Sequence, residues 1–179
     1  MTTSSPQSAS PSGRDAAADP ASVQRFAADA RAAAFGRIVA LLMASPRHAS
    51  MTLADAQCYL TPAIAHGQLA IMGTQQSDGG ATALASAAWW AMVSPEVDQR
   101  LTESREPHLT LDAADWCSGD QPWIIETIGD AKVVNELLRR LADKMFTGKP
   151  AKLRALTPDG RVAVGRLERK PAEEPQTKA

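Results

Sequence analysis

A mixed β-sheet flanked by helices, an α+β fold, is what the sequence predicts, and three observations lead there. Two stretches of helical periodicity precede two strand-like runs; an amphipathic helix follows a largely apolar central strand; and 44% of the 179 residues are hydrophobic, enough for one buried core. The element order reads ααββαβαββ.

Asp19-Pro20 supplies a capping side chain and a first-turn proline. Val23, Phe26, Ala30, Ala34, Ile38, Leu41 and Leu42 then recur near helical spacing, predicting one long helix that ends before Pro46. Thr52 with Asp55 forms an imperfect capping box for a short second helix, expected to stop before Pro62. Gln68 to Met72 reads as a short strand. Ser77-Asp78-Gly79-Gly80 is turn chemistry, and the apolar run Ala83 to Val93 suits a buried strand, so the two strands form an antiparallel hairpin.

Ser94-Pro95-Glu96 combines an N-cap, a first-turn proline and an acidic first turn, for a helix through Leu101. Pro122 to Ile128 is expected to be a central strand, with Trp123, Ile125 and Thr127 on one face and Ile124, Glu126 and Ile128 on the other. Asp130 caps a helix carrying Val133, Val134, Leu137, Leu138, Leu141 and Met145, closed by Gly148. Lys152 to Leu156 and Arg161 to Leu167 flank Pro158-Asp159-Gly160 and read as a terminal hairpin.

Residues 1–18 are Ser, Thr, Pro, Ala and Gly with little to bury, and residues 170–179 are charged and proline-punctuated; both read as disordered tails around one domain spanning 19–169. With 19 Lys+Arg against 20 Asp+Glu, the near-neutral chain is not built for bulk nucleic-acid binding. Two cysteines without a CxxC exclude a disulfide scaffold. No basic-then-apolar leader is present, and the longest apolar runs fall far short of the roughly 20 residues needed to cross a bilayer, so a cytoplasmic protein is expected.

His48 follows Ser45-Pro46-Arg47 where the first helix must break, and loops at helix ends often carry sites. An imidazole is the natural general base near neutral pH, and an acidic neighbour would orient it. Glu126 is the candidate neighbour, because a carboxylate among apolar strand residues needs a partner. Ser45 is placed to cap, to orient His48 or to donate to an oxyanion. Cys58 and Cys117 lack an adjacent thiolate-stabilising charge and are expected in the core. His66 and His108 lack metal-ligand spacing and read as surface residues, so no metal is expected. Of the adjoining Trp89 and Trp90, one should face the core, leaving the other for a cleft or subunit contact. Ser118-Gly119-Asp120 reads as a turn in which Asp120 makes local backbone bonds.

Taken together, Ser45-Pro46-x-His48, Leu60-x-Pro62-Ala63-Ile64, Gln68, Trp90-Ala91 and Asp115-Trp116-x-Ser118-Gly119-Asp120-x-x-Trp123-Ile124-Ile125 resemble the RTX toxin-activating lysine acyltransferases, from about Phe35 to Leu167. The resemblance implies a fold like that of the GCN5-related N-acetyltransferases. It also implies transfer of a fatty acyl group from acyl carrier protein to lysine ε-amines of an RTX protoxin, and suggests a homodimer. It carries the catalytic histidine onto His48 and marks Ser45, Trp90, Gly119 and Trp123 as supporting positions. Where the family has a catalytic aspartate, this chain has Glu126, whose charge sits on a stem one methylene longer.

No permanently bound cofactor is expected; the donor is the acyl-phosphopantetheine arm of the carrier protein. In keeping with that, Ile128-Gly129-Asp130 offers one glycine and an acidic cap, a weak pyrophosphate cradle. Arg139, Arg140 and Lys144, with Lys149 and Lys152, form the cationic cluster expected to meet an acidic carrier, and equally describe a solvated helix face. A catalytically impaired relative that only binds the carrier or an RTX-type partner is the alternative reading.

Overall fold

The structure, a computed structural model, describes residues 19–74, 83–105, 111–157 and 161–168. In chain order it comprises α1 (Pro20–Met43), a one-turn 3₁₀ helix (Pro46–His48), α2 (Leu53–Ala65), β1 (Leu69–Thr74), β2 (Ala83–Val93), α3 (Pro95–Glu103), β3 (Gln121–Gly129), α4 (Ala131–Lys144), β4 (Ala151–Leu156) and β5 (Val162–Leu167). The expected order and mixed α/β class are observed. The strands form an open sheet in sequence order, β1-β2-β3-β4-β5, antiparallel except for the parallel β3–β4 pair that α4 connects. This arrangement is consistent with the N-acetyltransferase-like fold expected.

Strand alternation sends β2 and β3 side chains to opposite faces of the sheet, each covered by helices. Ala87, Trp89, Ala91, Val93, Trp123 and Ile125 join Ile38 and Leu42 of α1, Leu60 of α2 and Leu101 of α3 in one core. Ala88, Trp90 and Ile124 join Leu137 and Leu141 of α4 and Phe146 in the other. Trp89 and Trp90 are therefore both core residues on opposite faces, and neither is left for a cleft or subunit contact.

The local signals act much as expected. Asp19 accepts from Ala21 N at the start of α1, Thr52 and Asp55 close a full capping box, Ser94 caps α3, and Asp130 caps α4. Strand and helix ends move by one or two residues, and three expectations change more. First, α2 runs through Pro62 to Ala65. The carbonyl that proline leaves without an N–H belongs to Cys58, an exposed residue whose backbone water can serve, and one further turn buries Ala63. Second, α4 ends at Lys144 with Met145 as its C-cap, short of Gly148, because Phe146 turns into the core while its N–H bonds Leu141 O at 3.0 Å. Third, the apolar stripe of α1 is buried only at Ile38 and Leu42; Val23 and Phe26 are exposed. The turns at 77–80 and 158–160, His108 and both expected tails lie outside the described residues.

Candidate active site

Pro46 stops α1 and, with its fixed φ, starts the 3₁₀ turn; residues three apart in such a turn lie over one another. Ser45 and His48 are that pair. Ser45 makes no side-chain cap bond; its Oγ lies 2.9 Å from His48 Nδ1, so of the three roles open to it in the sequence the structure shows the orienting contact. The His48 side chain is only 6% exposed.

The strand facing this turn is β3, and its register explains how Glu126 reaches it. Trp89 pairs with Glu126 but Trp90 with Ile124, so Ile125 is an extra, unopposed residue, a β-bulge. The bulge breaks the expected alternation. Trp123, Ile125 and Ile128 all pack in the core beneath α1 and α2, and Glu126, opposite Trp89, shares that face; Thr127, opposite Ala88, takes the other. Without the bulge Glu126 would join Ile124 on the α4 side, away from His48.

Glu126 Oε2 lies 3.6 Å from His48 Nε2, an electrostatic contact just beyond hydrogen-bond length. Its Oε1 accepts from Arg47 Nη2 at 2.6 Å and from the Thr127 N–H at 2.9 Å. The same Arg47 nitrogen donates to Thr127 O at 3.1 Å. Tyr59 of α2, half-buried, also faces this group: burial, then the charge of Glu126, raise its phenol pKa above the ordinary 10, against the opposing pull of Arg154 and Arg47. Sequence patterns mark neither Arg47 nor Tyr59. Arg47 occupies the variable position of the Ser-Pro-x-His word, and nothing in helical spacing singles out Tyr59 beyond its being the sole tyrosine.

Past Ile124, β3 and β4 part. Their ladder consists of Trp123↔Lys152 and Ile124↔Leu153, so β3 leaves its parallel neighbour at the bulge that carries Glu126. The pair is pinned from below: Trp123 Nε1 donates to Asp98 at 2.7 Å, Lys152 Nζ bonds the same carboxylate at 2.8 Å, and the ammonium stands 5.7 Å from the Trp123 ring centre. Trp123 is thus a wholly buried strut of the site. Trp90 packs edge-on against Phe146 across the sheet from His48.

The Asp115-to-Asp120 stretch is a clasp on β2. Met92 N donates to Trp116 O, Gly119 N to Met92 O, and Ser94 N to Ser118 Oγ, while buried Gln68 donates its amide to Trp116 O. Gly119 fits because a Cβ there would stand 2.5 Å from Val93 O and 2.6 Å from Ser94 Cα. Asp115 pairs with Arg100. Asp120, expected to make local backbone bonds, has as its main partner Lys149, whose Nζ bonds its carboxylate at 2.6 Å.

On α4, Arg139 and Arg140 both bond Glu136, and Arg139 also bonds Asp143, while Lys144 is exposed. Lys149 and Lys152 are bound to Asp120 and Asp98, so four of the five cations are paired with acids. Cys58 and Cys117, expected in the core, are both exposed: Cys58 takes the outer face of α2, and Cys117 sits on the clasp. His66 ends α2 on the surface, as expected. Among the described residues no cluster of three or more His, Cys, Asp or Glu could hold a metal, and no helix is long and apolar enough to cross a membrane. An open cavity of about 340 Å³ lined by Met92, Pro122, Met145 and Phe146 among others includes neither His48 nor Glu126.

Comparison with curated proteins finds no match. The family model for the RTX toxin acyltransferase family matches residues 28–167, most of the 179-residue chain and the whole of the sheet. The chain, with its histidine turn and its bulged acidic strand, belongs to the RTX toxin acyltransferase family.

Proposed function

We propose that the protein moves a fatty acyl group from the phosphopantetheine thioester of acyl carrier protein to lysine ε-amines of an RTX protoxin, with His48 as general base and Glu126 as its carboxylate partner. The observation that carries this reading is the convergence of the 3₁₀ turn and the β3 bulge, which sets Ser45, His48 and Glu126 in a row: 2.9 Å from Oγ to Nδ1 and 3.6 Å from Nε2 to Oε2.

An ionised carboxylate only accepts hydrogen bonds, so Glu126 favours the imidazole tautomer with its hydrogen on Nε2. Nδ1 then keeps its lone pair toward the Ser45 hydroxyl. A lysine ε-ammonium, with an ordinary pKa near 10.4, must lose a proton before it attacks. In the proposed step the neutral amine, its ammonium proton already lost to solvent, bonds the thioester carbonyl carbon while a second proton passes from nitrogen through Ser45 Oγ to Nδ1. The C–S bond then breaks, and the thiolate recovers a proton from the imidazolium. Glu126 stabilises that imidazolium without itself taking the proton, as the carboxylate of a serine-hydrolase triad does.

Two features support a donor carried on a protein arm. The α4 N-terminus, where coenzyme A pyrophosphate would be expected to sit, is filled by its own cap: Asp130 Oδ1 accepts from Lys132 N at 2.9 Å and Val133 N at 3.2 Å, and its charge repels another anion. The β3–β4 ladder ends at Ile124, beside the bulge, and that end of the strand pair is the proposed approach for a slender arm. Arg139, Arg140 and Lys144 on α4 are the proposed meeting surface for an acidic carrier.

The test is to incubate the protein with long-chain acyl carrier protein and an RTX acceptor and weigh the acceptor intact. One acyl increment per modified lysine is expected, with His48→Ala slowing the reaction about 10²–10⁴-fold. Turnover undiminished in His48→Ala would remove the base from this reading, and carrier binding without turnover by the parent chain would leave a binding protein.

A further inference from the structure

The glutamate that faces His48 is held in an unusual way. Its Oε1 is bonded twice, by Arg47 Nη2 at 2.6 Å and by the N–H of the very next residue, Thr127, at 2.9 Å. Bonding the adjacent backbone N–H curls the side chain back over its own strand and shortens its reach. Arg47 closes the curl, because the same nitrogen that bonds Oε1 also bonds Thr127 O at 3.1 Å, tying carboxylate and backbone together. Oε2 is the oxygen turned toward His48, at 3.6 Å.

We propose that Arg47 is a positioning residue for the Glu126 carboxylate, drawing the long side chain back over its strand so that one oxygen faces His48. Three observations make Arg47 the group that does this. It sits in the same rigid 3₁₀ turn as His48, immediately before it, so any movement of the turn carries both together. Its side chain is 63% exposed, so it contributes little to core packing. It also spans from the turn to β3 at the one strand residue that needs correction. Tyr59 on α2 faces the cluster as well and senses the charge of Glu126, with Arg154 on β4 acting on the same phenol, but the bond that crosses from the histidine turn to the curl comes from Arg47.

An aspartate at position 126 would carry its carboxylate about 1.5 Å nearer the strand, where no curl is needed and Arg47 has less to correct. The roles of residues 47 and 126 are therefore coupled. This inference rests on the reading of His48 as base, and the experiment separates the two.

The measurement is a double-mutant cycle on the full chain, with single-turnover acylation and steady-state kinetics for parent, Arg47→Met, Glu126→Asp and the double variant, and Arg47→Lys as the conservative control. Arg47→Met should lower kcat about 10–100-fold in the parent, the size of effect expected of an ångström-scale misplacement, with KM for the acyl carrier protein little changed. In the Glu126→Asp chain the same replacement should cost less than about 3-fold, and Arg47→Lys should recover part of the loss. Equal losses in both backgrounds, or a loss carried by KM alone, would overturn the proposal.

Urea unfolding of the same four chains gives a readout independent of turnover: Arg47→Met should shift the midpoint in the parent background and leave it unmoved in the Glu126→Asp background. If His48→Ala retained full activity, the base assignment would fail while this unfolding coupling still decided whether Arg47 fits the glutamate. Absence of coupling there would overturn the fit itself.

Discussion

Asp98 is the anchor beneath the parallel strand pair, and its removal tests whether that anchor holds the site together. Its carboxylate takes the indole N–H of Trp123, which is fully buried, and the ammonium of Lys152, whose side chain is 17% exposed against 23% for Asp98. Asp98→Ala therefore leaves the indole without its acceptor and the ammonium with only a long bond to Thr102 Oγ1 at 3.4 Å. A hydrogen bond to a charged group contributes about 1.5–3 kcal/mol, and breaking a buried ion pair costs about 3–5 kcal/mol; partial exposure of this pair places the loss near 3 kcal/mol. Asp98→Asn keeps an acceptor for the indole and gives up the charge, so about 1–2 kcal/mol is expected. For a domain of this size 1 kcal/mol moves the thermal midpoint by roughly 2–4 °C, so Asp98→Ala should melt about 6–12 °C early. Urea and thermal unfolding of both variants, with Asp98→Leu/Lys152→Met as a pair in which neither charge is orphaned, complete the series. The pair should be less damaged than Asp98→Ala alone. A loss below about 0.5 kcal/mol in Asp98→Ala would mean that water replaces the carboxylate freely, and the account of how β4 is pinned beside β3 would be wrong.

Three further outcomes follow. Gly129→Ala should destabilise by about 3 kcal/mol or more in urea unfolding, because a Cβ there would lie 2.0 Å from Ala85 O at a φ of +119°. Glu136, at the surface between Arg139 and Arg140, has its pKa lowered from 4.5 to about 2 by their hydrogen bonds. A carboxyl depressed in the fold stabilises above its unfolded value and loses that contribution as pH falls. Glu136→Gln should therefore destabilise at pH 7, by an amount that salt erodes and that disappears between about pH 4.5 and 2. Tyr59 is the sole tyrosine, so phenolate absorbance reports it alone. With burial and then the Glu126 charge raising its pKa, the ionisation midpoint should lie above the ordinary 10, and any stability linked to the neutral phenol should be present below pH 10 and fade as pH rises through the folded value. Glu126→Gln should bring the transition back toward 10; an unmoved transition would show that the two groups do not sense each other.

Much of this architecture is legible in the residues alone, because its signals are local. Asp19-Pro20, Thr52 with Asp55, Ser94-Pro95 and Asp130 announce helix starts through bonds that span no more than three residues, and each forms. Local reading fails where distant contacts override local preference. Pro62 is carried inside α2 because a further turn buries Ala63, and Phe146 ends α4 by entering the core. The pairing of His48 with Glu126 follows from the cost of a carboxylate among apolar residues, but the face that Glu126 takes does not, since strict alternation cannot foresee an unopposed Ile125. Arg47 and Tyr59 are hidden for a related reason: their meaning lies in β3, which neither adjoins in sequence.

That single unopposed isoleucine makes the chemistry of β3 a matter of parity. Exchanging the acid at position 126 alters a bond length or two, whereas pairing β3 evenly with β2 at its present length would set Glu126 opposite Ala88 and deliver the acid to the wrong layer of the protein. The bulge and the distance of position 126 from Trp123 therefore form one unit: a change of length there keeps the acid beside His48 only when the pairing with β2 changes with it.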